Sequence, residues 1–162
     1  MNMISLDHGA HRYENFTRDG LLQVGVPEAV IDAAELAAAK AGAETAIDAA
    51  AEAARARKIT LSPGMAMTYA VKAAEARAFE TATAAQKADP SRWPMLAPEA
   101  GVLEIDLAQH AAVVRAKDSG FTALGGLIEA ARAGGKADVR SRLKLHTVEE
   151  ARDAAIDALN AL

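Results

Sequence analysis

The sequence predicts an all-α protein, with long alanine-rich helices in an antiparallel helical hairpin or bundle and a less regular N-terminal arm. Three observations predict it. Of the 162 residues 42 are alanine, the strongest helix former. Apolar residues recur by threes and fours over long windows. No strand-like alternation of period two is sustained. The expected organisation is an arm over residues 1–26 and a helical domain over 27–162.

The arm is poor in alanine and punctuated by Gly9, Gly20 and Gly25. Its apolar groups, Tyr13, Phe16, Leu21, Leu22 and Val24, keep no regular period. Two readings stand: an arm packed on its own domain, or an extension that docks on a neighbouring subunit with Tyr13 and Phe16 as aromatic anchors.

Pro27 suits a first helical turn, because its missing amide hydrogen would be unpaired there. Glu28 adds an acid near the positive helix end. The helix is expected to run to residue 58, about 45 Å. One face carries Glu44, Asp48, Glu52 and Arg55; another carries Leu36, Ala43, Ile47, Ala50 and Ala54. Gly42 marks a close approach or a break, since glycine costs about 1 kcal/mol in a helix interior.

Leu61-Ser62-Pro63-Gly64 predicts a serine cap with proline at the first helical position. A second helix is expected over 65–87, with Met65, Tyr69, Ala76, Phe79 and Thr83 facing inward. Lys72 lies on or beside that stripe. It either snorkels, its stem covering apolar surface, or forms a buried ion pair. Pro90 and Pro94 end the helix. Trp93, with Pro94, Met95 and Leu96, is expected to plug the hairpin, a binding role for the tryptophan being the alternative.

Asp106-x-x-Gln109 has the form of a capping box. It opens a helix with Leu107, Ala111, Val114, Phe121, Leu124 and Ile128 on one side, kinked or split at Gly120, Gly125 and Gly126 and stopped at Gly134-Gly135. Residues 139–146 form a basic short helix or loop. Thr147-x-x-Glu150, a second capping box, opens a terminal helix with Val148, Ala151, Ile156 and Leu159.

Composition limits the function. A net charge of −4 without a basic, aromatic-interleaved run excludes the electrostatic footprint of a nucleic-acid binder. Without cysteine there is no disulfide or thiolate chemistry. The first residues lack the pattern of a signal peptide, and no apolar run of about 18 residues spans a membrane. Synthesis and folding in the cytoplasm are therefore expected.

The chemistry-bearing residues form no catalytic pattern. His8 and His11 have metal-ligand spacing but no third ligand nearby. His110 and His146 sit at helix starts, where histidine is ordinary. The carboxylates fall in helical rows that read as solvated faces. No serine has an elbow sequence, and no glycine loop is followed by Lys-Ser/Thr. No catalytic residue, metal or cofactor is expected, and the function is structural.

One stretch resembles a known module. Residues 57–69, reading Arg-Lys-Ile-Thr-Leu-Ser-Pro-Gly-Met-Ala-Met-Thr-Tyr, are followed by Lys72, Glu75, Ala76 and Phe79. They are similar to a module of phage tail-fibre, head-fibre and related virion proteins, which continues with an aromatic-Pro step echoed in Trp93-Pro94-Met95-Leu96. Residues 62–66 replace the relatives' Pro-Gly-x-Gly-Gln turn. The likeness covers about residues 45–162, and in so short a chain it is similar to the head-spike base of gene transfer agents. The resemblance implies a non-enzymatic adaptor on the surface of a phage-like virion. It would contact other copies of itself (a ring of five at a capsid vertex), a capsid protein and a spike or fibre. Tyr13, Phe16, Tyr69, Lys72 and Trp93 are the candidate partner-binding residues. A tail-fibre assembly chaperone and a cellular helical adaptor are the alternatives.

Overall fold

The structure, a computed structural model, describes residues 3–58 and 63–162. Among these residues are seven α-helices and one two-stranded sheet. They divide into two compact units, Met1–Ala54 with Ile128–Leu162, and Arg55–Leu127. The predicted helical class holds.

The first unit opens with more order than an irregular arm. Strands β1 (Ile4–His8) and β2 (His11–Phe16) form an antiparallel hairpin. Its two-residue loop places Gly9 at φ +62°, the left-handed value that such loops require. A register irregularity near Ile4 and Leu6 accompanies Asn15 at φ 57°, a conformation asparagine tolerates. Helix α1 (Arg18–Gln23) follows, N-capped by Thr17, whose hydroxyl accepts from the Gly20 amide at 3.1 Å. Gly25, at φ +84°, ends it in a Schellman motif. Its amide donates to the Leu22 carbonyl, and the Val26 amide donates to that of Leu21. Leu21 and Val26 then join Ile4 and Ile31 in a small core, with Tyr13 and Phe16 packed on it.

Helix α2 (Glu28–Lys58) runs as predicted and passes Gly42 unbroken, with open space where a Cβ would stand. Three of its carboxylates, Glu28, Asp32 and Glu35, bind the Arg18 guanidinium at 2.7–2.8 Å and tie α1 to it. Ala43, Ile47, Ala51 and Ala54 are its buried stripe, Ala51 taking the place expected for Ala50.

Helix α6 (Leu107–Ser141) contributes its residues from Ile128 onward to this unit. The stop expected at Gly134-Gly135 does not occur, and the helix is not split at Gly120, Gly125 or Gly126. A Cβ on Gly135 would lie 2.4 Å from Cβ of Ala155, so this glycine lets two helix backbones approach and does not end one. Ala155 lies on α7 (Leu145–Asn160), which buries Val148, Ala151, Ala155 and Leu159. The capping box expected at Thr147 is also absent. α7 starts three residues earlier, with Lys144 at the N-cap, and the Thr147 hydroxyl donates back to the Lys144 carbonyl at 2.8 Å.

The carboxylate row of α2 is paired. Asp48 accepts from Arg132 at 2.9 Å and from Lys136 at 2.7 Å, and Glu44 accepts from Arg140 at 2.6 Å. Residues 44 and 48 meet 140, 136 and 132 in reverse order, so the two segments run antiparallel. The Lys40 ammonium donates to the Arg140 carbonyl at 2.7 Å, covering one open acceptor of the last turn of α6.

The second unit contains α3 (Pro63–Thr81), α4 (Ala84–Lys87), a 3-10 turn at Pro90–Arg92, α5 (Leu96–Val102) and α6 up to Leu127. α3 begins at the predicted proline, while the Ser62 cap lies outside the described residues. It ends at Thr81 and not at residue 87. Thr83 with Gln86 forms a reciprocal capping box that starts α4 afresh. Asp106 caps α6, accepting from the Ala108 and Gln109 amides at 2.8 and 3.1 Å, without the return bond to the Gln109 side chain that a full capping box requires.

Candidate functional site

Ala76 and Phe79 of α3 meet Trp93, Leu96 and Ala111 in the core of the second unit. Phe79 and Trp93 pack edge to face, centroids 4.9 Å apart, and the indole N–H donates to the Gln86 carbonyl at 3.0 Å. Glu75, one turn before Phe79, turns its carboxylate onto the start of α5. It accepts from the Met95 amide at 3.0 Å and the Leu96 amide at 2.9 Å. An anion at a helix N-terminus satisfies open donors and complements the dipole. This bond fixes α5 against α3, and with it Glu99.

A cleft of about 150 Å³ lies beside that core. Tyr69 and Lys72 of α3 form one wall, His110, Val113 and Phe121 of α6 the other, and Glu99 of α5 reaches in between. The Lys72 ammonium bonds to Glu99 Oε2 and lies 5.5 Å from the Tyr69 ring centroid. That ammonium holds the Glu99 carboxyl below the usual carboxylate range, against the opposing effect of burial. His110 is 5% exposed. Its Nε2 is sealed from solvent and lies 3.3 Å from the same Glu99 oxygen. At the mouth, Asp118 pairs with Arg77 at 2.5 Å, whereas Lys117 is exposed and pairs with no carboxylate among the described residues.

The sequence-predicted residues fall in three places. Tyr69 and Lys72 meet in this cleft, Tyr69 at its rim with 42% exposure. Lys72 forms the ion pair and does not snorkel to solvent. Trp93 is 5% exposed and is the plug between helices, with little surface left for a partner. Tyr13 and Phe16 are half-buried in the other unit, edge to face at 5.6 Å, packed on their own core. Sequence reasoning missed Glu99 and His110. Leu107, His110, Val114, Lys117 and Phe121 recur by threes and fours, and this stripe, which shares Leu107, Val114 and Phe121 with the one chosen, would have exposed His110.

Among the described residues no cluster of three or more potential ligands is placed to hold a metal ion. No helix among them is long and apolar enough to cross a membrane. Lys72 and Tyr69 flank the His110–Glu99 pair, and no serine, threonine or cysteine lines the cleft. The cleft is a small apolar-walled recess with a polar floor and aromatic rims, an arrangement that can bind. The chain matches no protein family, no curated protein and no solved structure.

Proposed function

We propose that the chain is a non-enzymatic virion structural protein, the small base that mounts a spike or fibre on a phage-like head such as that of a gene transfer agent. The observation that carries this reading is the motif running from Arg57 through Tyr69, Lys72, Glu75 and Phe79 to Trp93-Pro94-Met95-Leu96. Its residues have structural roles in one unit: a helix cap, an ion pair and an aromatic plug. Such a unit suits a mount, which must be stiff and needs surfaces to grip its neighbours. Exposed Met67, Val71 and Phe121 offer such surfaces.

On this reading the partners are other copies of the chain, a capsid protein and the spike. A ring of five at a capsid vertex gives each copy equivalent contacts. Deleting the gene should yield heads that still package DNA but carry no spikes and attach poorly to cells. Normal spikes on those heads would refute the reading, and failure of head assembly would move the protein into the shell. Absence of the chain from purified wild-type particles would make it an assembly chaperone or a cellular adaptor.

A further inference from the structure

We infer that the start of α3, residues 65–71, docks into an acid-rimmed groove in the first unit of a second copy of this chain. The contact rests on the spike-base reading only in taking other copies as the partner.

Met65, Met67, Tyr69 and Val71 are 42–74% exposed, and the small residues between them are exposed too. Seven successive residues go about twice round a helix, so every side of this stretch meets solvent. It carries no charge. A helix that is apolar all round belongs in a buried setting, and its own chain provides none.

The groove lies between α2 and the start of α7. Two recesses, of about 260 and 340 Å³, adjoin there and share Glu35 and Leu145. The floor is alanine, Ala34 and Ala38 among them. Leu143 and Leu145 form a wall, 82% and 44% exposed. Methyl-sized residues leave the room that Met, Tyr and Val side chains need, large against small being how packed faces interdigitate. The lengths agree as well. α2 lines the groove from residue 32 to residue 39, about 10 Å, and residues 65–71 rise about 9 Å.

Charge identifies the occupant. Asp32, Glu35 and Glu149 rim the groove, against one base in its lining, Lys144. Arg18 binds the first two, and Glu149 stands exposed. On the other side of the contact, the chain between Glu52 and Glu75 holds Arg55, Arg57, Lys58 and Lys72 and no acid. The asymmetry extends to whole units. The first has 15 acids and 9 bases, a charge of −6, and the second 7 acids and 9 bases, a charge of +2. Copies therefore attract most strongly second unit to first. A segment on one unit and its groove on the other make a head-to-tail contact, the kind that closes into a ring when its rotation permits.

The test mixes two full-length variants, each changed at one exposed residue. Met67→Glu spoils the segment, and Ala38→Arg fills the groove. Circular dichroism should show both as helical as the wild type. In sedimentation at high micromolar concentration the wild type should associate and each variant alone should be a monomer. Their equimolar mixture should form a dimer of twice 16.8 kDa and nothing larger, because one intact contact remains. Adding Glu149→Lys to the Met67→Glu chain should weaken that dimer several-fold at low salt and little at high salt. Association of either variant alone to the wild-type extent, or no dimer in the mixture, overturns the contact. A dimer indifferent to Glu149→Lys at low salt overturns the acidic rim as what selects the groove. A wild type that stays monomeric also overturns the contact, while the spike-base reading still stands or falls on the spikes of the gene-deleted particles.

Discussion

Single side chains decide two outcomes that composition leaves open. Phe79 is 5% exposed and packs edge to face on Trp93, so Phe79→Ala should cost about 3 kcal/mol or more. Denaturant unfolding followed by Trp93 fluorescence measures it. An unchanged midpoint would mean that the ring contributes to an interface and not to the core. The paired glycines give a sharper case, because adjacent substitutions should have opposite signs. Gly134→Ala meets nothing within 4 Å and should stabilise by up to about 1 kcal/mol through helix propensity. Gly135→Ala places a methyl 2.4 Å from Ala155 Cβ and should destabilise by about 1–3 kcal/mol through overpacking. Calorimetry of the two variants checks this, and a gain at both positions would remove the close approach of α6 to α7. Gly134-Gly135 read as a stop because local propensity cannot reveal that another helix needs the space. The pairing of His110 with Glu99 was illegible for a related reason: Glu99 comes from a different helix, eleven residues earlier, beyond any local period.

At the level of elements, the long helices were legible and their pairing was not. Pro27 and the alanine run define α2, and Asp106 defines the start of α6, but only the fold brings Glu44 and Asp48 to Arg140, Lys136 and Arg132. Both carboxyls are held below their ordinary range, Glu44 chiefly by its hydrogen bond from Arg140 and Asp48 by those from Lys136 and Arg132. A lowered folded-state value means that the ionised form is favoured by folding. The stabilisation is therefore complete above the unfolded carboxyl range, near pH 4 to 4.5, and is lost as pH falls through the lower folded values. Glu99, lowered by Lys72 in the other unit, has the same sign. The melting temperature should hold between pH 8 and 5 and fall below about pH 4. Glu44→Gln with Asp48→Asn should flatten that acid limb and lower the plateau, each partly exposed pair contributing about 0.2–1 kcal/mol. An acid limb as steep in the double variant would assign the effect to other carboxyls. The hairpin of β1 and β2 escaped notice on different grounds. Five alternating residues and a strand with an irregular register are too short a signal, and two strands alone are marginal in water; Leu21, Val26 and Ile31 hold them in place.

For the whole molecule the deciding quantity is how much large apolar surface the chain can bury by itself. Its buried stripes are built largely of alanine, at positions 43, 51 and 54 on α2 and 151 and 155 on α7. An alanine methyl gains little from burial, on the order of 0.8 kcal/mol, against roughly 1–2 kcal/mol of backbone entropy for each residue ordered. Larger side chains remain in solvent, among them Met67 at 74%, Val102 at 85% and Leu143 at 82% exposure. A chain that spends helix length on methyl-sized contacts and leaves its bulkier groups outside has more to gain from association than from folding alone. Isolated protein should therefore be a homo-oligomer, or a monomer of marginal stability, and mass action makes the two distinguishable. Sedimentation at micromolar concentration should give a mass above 16.8 kDa that falls on tenfold dilution, with the melting temperature falling in step. A monomer at both concentrations, melting sharply at one temperature, would show that these alanine stripes and the ion-pair rows suffice, and the exposed groups would then lose their claim to be contacts between copies.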